Sequence, residues 1–260
     1  MTSRTLRLSD GGTVRVLEAG AGEPLLLIHG VGLRAEAWGP QMRLEAHVFA
    51  VDMPGHGDSS PLPAGARLPD YVAWAARVIE ALGVGPMNVA GHSMGSLIAG
   101  GLAIDRPDLV KRVALLNAVH RRSPEARAAV LGRAAEIAAG AGSIEAPLAR
   151  WFSEDQAEIR AQVASWLHAV SQTGYAMAYR AFAEGDTVYA DRIGQISCPT
   201  LVLTADGDAN STPAMTHAMA GMVQHGQAIV IEGHRHMVNL TAPQAVSAAL
   251  RDWLAEEVMR

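Results

Sequence analysis

The sequence predicts an α/β fold: a mostly parallel, doubly wound sheet that begins with an antiparallel hairpin and carries a helical cap insertion. Three observations lead there. Short apolar runs alternate with segments of helical period, as parallel strands joined by right-handed crossovers require. The ends of those runs are rich in Gly, Pro, Asp and Ser. One long stretch, from about residue 121 to 194, contains no strand pattern, and strands resume at Thr200. The chain has 260 residues, 49% of them apolar and 18% charged, enough for one large domain with a substantial core.

The elements follow in order. Thr5 to Leu8 and Val14 to Leu17 alternate apolar and polar around Asp10-Gly11-Gly12 and predict the hairpin. Leu25 to Ile28 is a continuous apolar run that ends in His29-Gly30, the pattern of a strand buried on both faces. Val48 to Val51 is another, closed by the turn-rich "DMPGHGDSS". Leu68 to Leu82 has helical spacing and stops at Gly83. Met87 to Ala90 predicts a strand and Ser96 to Ile104 a helix, with "GHSMG" between them. Val113 to Leu116, Thr200 to Thr204 and Ala228 to Ile231 complete the strands. The expected division is a core of residues 1–118 and 195–260, with residues 119–194 inserted as an Ala-rich helical cap.

Composition excludes several classes. The net charge is −5 and the pI near 6.0, with no basic run fit for a nucleic acid. The N-terminal "MTSRTLRLSDGG" lacks the apolar core of a signal peptide, and the longest apolar runs fall far short of a membrane span. The single Cys198 precludes an internal disulfide and fits a cytoplasmic protein, with the thiol read as a packing residue. The "HRH" alternation at His234 and His236 lacks a third ligand cluster, so neither metal nor cofactor is expected.

The chemistry starts at Gly91-His92-Ser93-Met94-Gly95. In a parallel sheet ligands bind beyond the carboxyl ends of the strands. Small residues flanking Ser93 let strand and helix approach there, and the helix N-terminus favours a developing anion. A serine hydroxyl needs a base and a group to orient that base. The loop after the last strand, "IEGHRHMVNLTAP", offers His234 and His236, which share a face on an extended segment. The loop after Thr204 offers Asp206 and Asp208, whereas Asn117, at the end of the preceding strand, carries no carboxylate.

With those pieces the chain resembles the α/β-hydrolase superfamily along nearly its whole length. The matching segments are "LLLIHGVG", "VDMPGHGDSS", "VAGHSMGS", "CPTLVLTADGDANSTP" and "GHRHMVNLTAP". The resemblance implies a Ser93–His236–Asp208 triad, since the family's acid is the later one of the pair and its His precedes a Pro by seven residues, here Pro243. It implies an oxyanion hole built from the Val31 and Met94 N–H groups. Arg235 stands where the family usually has Gly, and Thr241 where it commonly has Glu.

The segment "TGYAMAYRAFAEGD" resembles the cap of enol-lactonases and related small-ester hydrolases. The expected activity is therefore cleavage of an ester or lactone bond through an acyl-enzyme. C–C bond hydrolysis, peracid formation and a receptor-like binder with slow turnover are the alternatives. Arg34, His120, Trp151 and Tyr175 are the expected substrate-lining residues. The expected partner is a small-molecule substrate, not nucleic acid or membrane, with a homodimer left open.

Overall fold

Residues 1–258 are described by a computed structural model. Its centre is one eight-stranded sheet in the order β1-β2-β4-β3-β5-β6-β7-β8. β1 (Thr2–Arg7) and β2 (Thr13–Ala19) form the antiparallel hairpin, and β2 also pairs antiparallel with β4 (His47–Val51). β3 (Pro24–Ile28), β5 (Met87–His92), β6 (Val110–Leu116), β7 (Thr200–Ala205) and β8 (Gly226–Ile231) run parallel. The expected strands are all present, most of them one to three residues longer, while β1 starts earlier, at Thr2, and stops at Arg7, one residue short of Leu8.

The continuous apolar runs are explained by two buried faces. Along β3, Leu26 and Ile28 join one core while Leu25 and Leu27 join the other. β6 divides in the same way, Val113 and Leu115 against Ala114 and Leu116. Period-2 alternation is intact, but apolar neighbours wait on both sides, so the sequence reads as uninterrupted. Helices α1 (Leu68–Leu82) and α2 (Met94–Asp105) belong to the first core. α1 closes as its sequence requires, with Gly83 at φ 69° as the left-handed cap.

Between β6 and β7 the chain forms four helices and no strand: α3 (Pro124–Ala138), α4 (Glu145–Trp151), α5 (Ala157–Ala169) and α6 (Gln172–Gly185). After β7 come α7 (Pro213–Met222), the single-turn α8 (Val238–Thr241) and α9 (Pro243–Leu254), which places Trp253 in the second core. Pro243 begins α9, the first-turn position that suits a proline.

The carboxyl ends of β3, β5, β6, β7 and β8 lie side by side, and the loops that leave them carry Val31, Ser93, Asn117, Asp208 and His236. Close packing fixes that edge. A Cβ on Gly95 would lie 2.1 Å from the Ile28 carbonyl oxygen, whereas one on Gly132, within α3, meets nothing. Gly95→Ala is therefore expected to lose about 3 kcal/mol or more in urea unfolding. Gly132→Ala should cost nothing, or gain up to about 1 kcal/mol from helix propensity. Equal stabilities for the two variants would contradict close packing at the turn from β5 into α2.

Candidate active site

Ser93 sits at φ 55° and ψ −116°, a conformation that non-glycine residues rarely adopt. The turn from β5 to α2 demands it. A Cβ on Gly91 would meet the Gly95 carbonyl oxygen at 2.0 Å, so both flanking positions must be glycine. The Ser93 N–H donates to the Leu116 carbonyl at 2.8 Å, and the Ser96 hydroxyl donates to the Ser93 carbonyl. The side chain is thereby held off the sheet edge at the start of a helix.

His236 Nε2 lies 3.0 Å from Ser93 Oγ, and His236 Nδ1 lies 2.8 Å from Asp208 Oδ2. The arrangement requires one tautomer, with Nδ1–H donating to the carboxylate and Nε2 accepting from the hydroxyl. Asp208 is buried and takes three further hydrogen bonds: from Asn117 Nδ2 at 2.8 Å, the Asn210 N–H at 2.8 Å and the Ser211 N–H at 3.2 Å. Burial alone would push its pKa up. The attraction of His236 and the hydrogen bonds from His236, Asn117 and Asn210 outweigh burial and hold it below the ordinary value.

The two ambiguous pairs separate cleanly. Asp206 caps a turn, accepting from the Gly233 N–H at 2.9 Å. The segment carrying both histidines is not extended but turns before His234 and again at His236, so the two rings do not share a face. His234 Nδ1 pairs with Thr241 Oγ1 at 3.0 Å. Thr241 and Arg235 thus have partners of their own; the Arg235 guanidinium donates to the carbonyls of Ala149 and Phe152. Cys198 stays a thiol, since burial pushes its pKa up to about 11.

Neither the Val31 nor the Met94 N–H donates to another protein group among the described residues, as an oxyanion hole requires. The loop that carries Val31 is braced by histidines. The Gly32 N–H donates to His56 Nε2 at 2.9 Å, and the Met53 N–H donates to His29 Nε2 at 2.9 Å. The second nitrogens of these rings donate to the Pro54 and Gly30 carbonyls. His92 points away from Ser93 and donates instead to the His236 carbonyl at 2.8 Å.

A cavity of about 790 Å³ opens onto Ser93 and His236, with Val31, Trp151 and Tyr175 in its wall. The Trp151 ring lies 5.5 Å from the His236 ring. Two expected lining residues are elsewhere. Arg34 is turned away by an ion pair with Glu36 at 2.7 Å, and His120 lies in a separate small void beside Asp186 and Tyr189. The cations of the cavity are Arg122, Arg133 and Arg150, with Glu136 as the one acid in its wall. Arg122 is 6% exposed and spends Nη1 on Asp186 at 3.2 Å, while its Nη2 is buried without a partner. Arg150 makes no side-chain hydrogen bond or ion pair among the described residues.

The Alpha/beta hydrolase family model matches residues 25–249. The chain belongs to the α/β-hydrolase family. It is 53% identical over 259 residues to the (E)-2-((N-methylformamido)methylene)succinate hydrolase of Acinetobacter baylyi, covering 98% of both chains. A thermophilic esterase from Thermogutta terrifontis, solved with malate bound, superposes with a TM-score of 0.88 at 26% identity, covering 98% of both chains. The enol-lactonase from Burkholderia xenovorans shares the fold, with a TM-score of 0.86 at 23% identity over 97% of this chain and 100% of its own. The chain is thus a hydrolase with the expected fold, and among the described residues no helix is long and apolar enough to cross a membrane.

The buried histidines of this hydrolase give it a defined pH response. Burial pushes the pKa of His29 down to about 4, and burial together with neighbouring histidines pushes those of His56 and His92 down to about 3. In the unfolded chain an imidazole takes up its proton near about pH 6.5. Below that pH the unfolded state binds more protons than the folded one, so stability falls as pH falls towards the folded-state values. Each group contributes a slope of at most about 1.4 kcal/mol per pH unit. His56→Gln, which can still accept from the Gly32 N–H, should flatten the slope of urea-measured stability by about that amount between roughly pH 6 and pH 5. A variant whose slope equals that of the wild type would refute the neutral-histidine brace.

Proposed function

We propose that this hydrolase cleaves the acyl bond of a small substrate bearing carboxylate groups, through an acyl-enzyme on Ser93. The observation that carries the reading is the convergence of Arg122, Arg133 and Arg150 on the cavity that opens onto Ser93 and His236. Arginine is the residue best suited to hold carboxylates in fixed orientation.

The steps follow from the geometry. His236 Nε2 takes the Ser93 proton as Oγ bonds to the acyl carbon, and Asp208 stabilises the imidazolium. The Val31 and Met94 N–H groups receive the charge that develops on the carbonyl oxygen. The bond to the leaving atom then breaks as His236 returns the proton to it. Water, deprotonated by His236, attacks the acyl carbon, frees Ser93 and leaves the acid.

For the leaving atom we favour nitrogen. The substrate in the name of the 53%-identical relative carries two carboxylates and an N-formyl group, and three arginines suit such a dianion. An oxygen leaving group, in an ester or lactone, uses the same steps and is the second reading, favoured by the 26%-identical esterase with malate bound. The unbroken Ser93–His236–Asp208 chain of hydrogen bonds favours turnover over simple retention of a ligand.

Two experiments test the proposal. Ser93→Ala should abolish labelling by a fluorophosphonate and nearly all hydrolysis. His236→Ala should match it, and the double variant should be no worse than either, because the residues act as one unit. His234→Ala should keep most activity, and an inactive but folded His234→Ala beside an active His236→Ala would reverse the assignment of the base. For the substrate, Arg150→Ala should raise KM for (E)-2-((N-methylformamido)methylene)succinate by roughly 10- to 100-fold, the effect of losing one charged hydrogen bond. An unchanged KM would remove Arg150 from substrate binding.

A further inference from the structure

We propose that Arg235 is a positioning residue that fixes the substrate-binding edge of the cap to the loop carrying the base, so that specificity for carboxylate-bearing substrates depends on it. The proposal rests on the hydrolytic reading above and assigns a residue outside the triad, the oxyanion hole and the cavity wall.

Arg235 precedes His236 directly, and its Nη1 donates to Ala149 O at 3.0 Å and Phe152 O at 2.6 Å. Those two carbonyls bracket Arg150 and Trp151, both of which line the cavity. Ala149 lies in the last turn of α4 and Phe152 is its C-cap, the end where carbonyls lack partners within the helix and where a cation is favoured by the helix dipole. One side chain therefore satisfies a helix end and places its neighbours. Among the described residues these are the only hydrogen bonds between residues 145–152 and the sheet core. At its start Glu145 pairs with Arg160 of α5 at 2.6 Å, and the rest of its hold is non-directional packing, chiefly buried Leu148 and Phe152. Apolar packing keeps a helix on the surface below it but does not set its rotation as a two-acceptor guanidinium does.

His236 depends on Arg235 much less. Its ring is held by Asp208 at 2.8 Å and Ser93 at 3.0 Å, and its carbonyl accepts from His92 at 2.8 Å. Removing the Arg235 side chain thus releases Arg150 and Trp151 before it disturbs the base. The consequence falls on KM for charged substrates rather than on kcat.

The test compares wild type, Arg235→Ala and Arg235→Lys on mono-p-nitrophenyl succinate and on p-nitrophenyl acetate, with hydrogen exchange measured over residues 145–152. Arg235→Ala should accelerate exchange in that segment and raise KM for the succinate half-ester about tenfold, the loss of one charge-assisted contact. Its KM for the acetate ester should change far less, and Arg235→Lys should recover part of both effects. Unchanged exchange in a folded Arg235→Ala overturns the proposal. An equal fall in kcat on both esters with no split in KM also overturns it, since Arg235 would then act through His236. If the wild type hydrolyses neither ester, the oxygen-leaving reading fails and the KM comparison moves to (E)-2-((N-methylformamido)methylene)succinate, while the exchange data still decide whether Arg235 holds the segment.

Discussion

The backbone of Ser93 is the constraint on which the site depends. A residue held at positive φ outside the glycine-favoured wells costs on the order of 1–3 kcal/mol, and only surroundings that leave no alternative sustain it. Here Gly91 and Gly95 abut backbone atoms that no side chain could displace, and the Ser93 N–H is held by the end of β6. The reward of the geometry is position: a hydroxyl at the carboxyl edge of the sheet, with α2 beginning behind it. Every other group of the site is placed relative to that hydroxyl. β3 leads to the Val31 loop, β7 to Asp208 and β8 to His236, each on the loop after a strand whose register in the parallel sheet is fixed by two buried faces.

Asp208 depends on a residue that carries no charge. Asn117 follows β6 at φ 50° and donates to Asp208 Oδ2, the oxygen that also receives His236 Nδ1–H. The Ser211 hydroxyl in turn donates to the Asn117 carbonyl. Asp208 is therefore oriented from β6 and from its own loop at once. This matters because a buried carboxylate without several donors would drift towards its neutral form and lose its grip on the imidazole tautomer. An acid in place of Asn117 would set two like charges side by side; an amide donor there supports one.

What the sequence made legible follows from how locally each feature is encoded. Ser93 is announced by its own flanking glycines, and the strands by apolar runs that their burial on both faces explains. Asp208 and His236 lie beside Asp206 and His234, and no periodicity separates the members of either pair. The separation comes from turns at Gly233 and Met237 and from the pairing of His234 with Thr241, which are tertiary events. Arg34 and His120 lie near strand ends in sequence but not at the cavity, because such proximity says nothing of rotamer or partner, and Glu36 captures Arg34. Arg133 and Arg150 carry no local signal for the opposite reason. They sit on helices of an Ala-rich insertion where solvated arginines are common, and only the folding of α3 and α4 over the turn at Ser93 brings them to the cavity wall. Trp151 and Tyr175 were legible as rare aromatics in that same insertion, and both do line the cavity.

The cavity arginines differ in how they are held, and the difference bears on how an anion is bound. Arg122 is anchored by Asp186, lies 4.5 Å over the Phe182 ring and leaves Nη2 buried without a partner. Its entropy has already been lost on folding, so a carboxylate that reaches Nη2 meets a preorganised donor and relieves an unsatisfied one. Lysine could not take this place, because one ammonium cannot hold Asp186 in one direction and present a fixed planar donor in another. Arg150 has no such anchor, and its position is inherited from the backbone of α4. A site that pairs one rigid cation with one carried on a strapped helix can lock one end of a dianion and adapt to the other. In a chain whose net charge is −5, three arginines against one acid make this cavity locally basic. Glu136 at the rim limits how much unpaired positive charge the empty cavity holds.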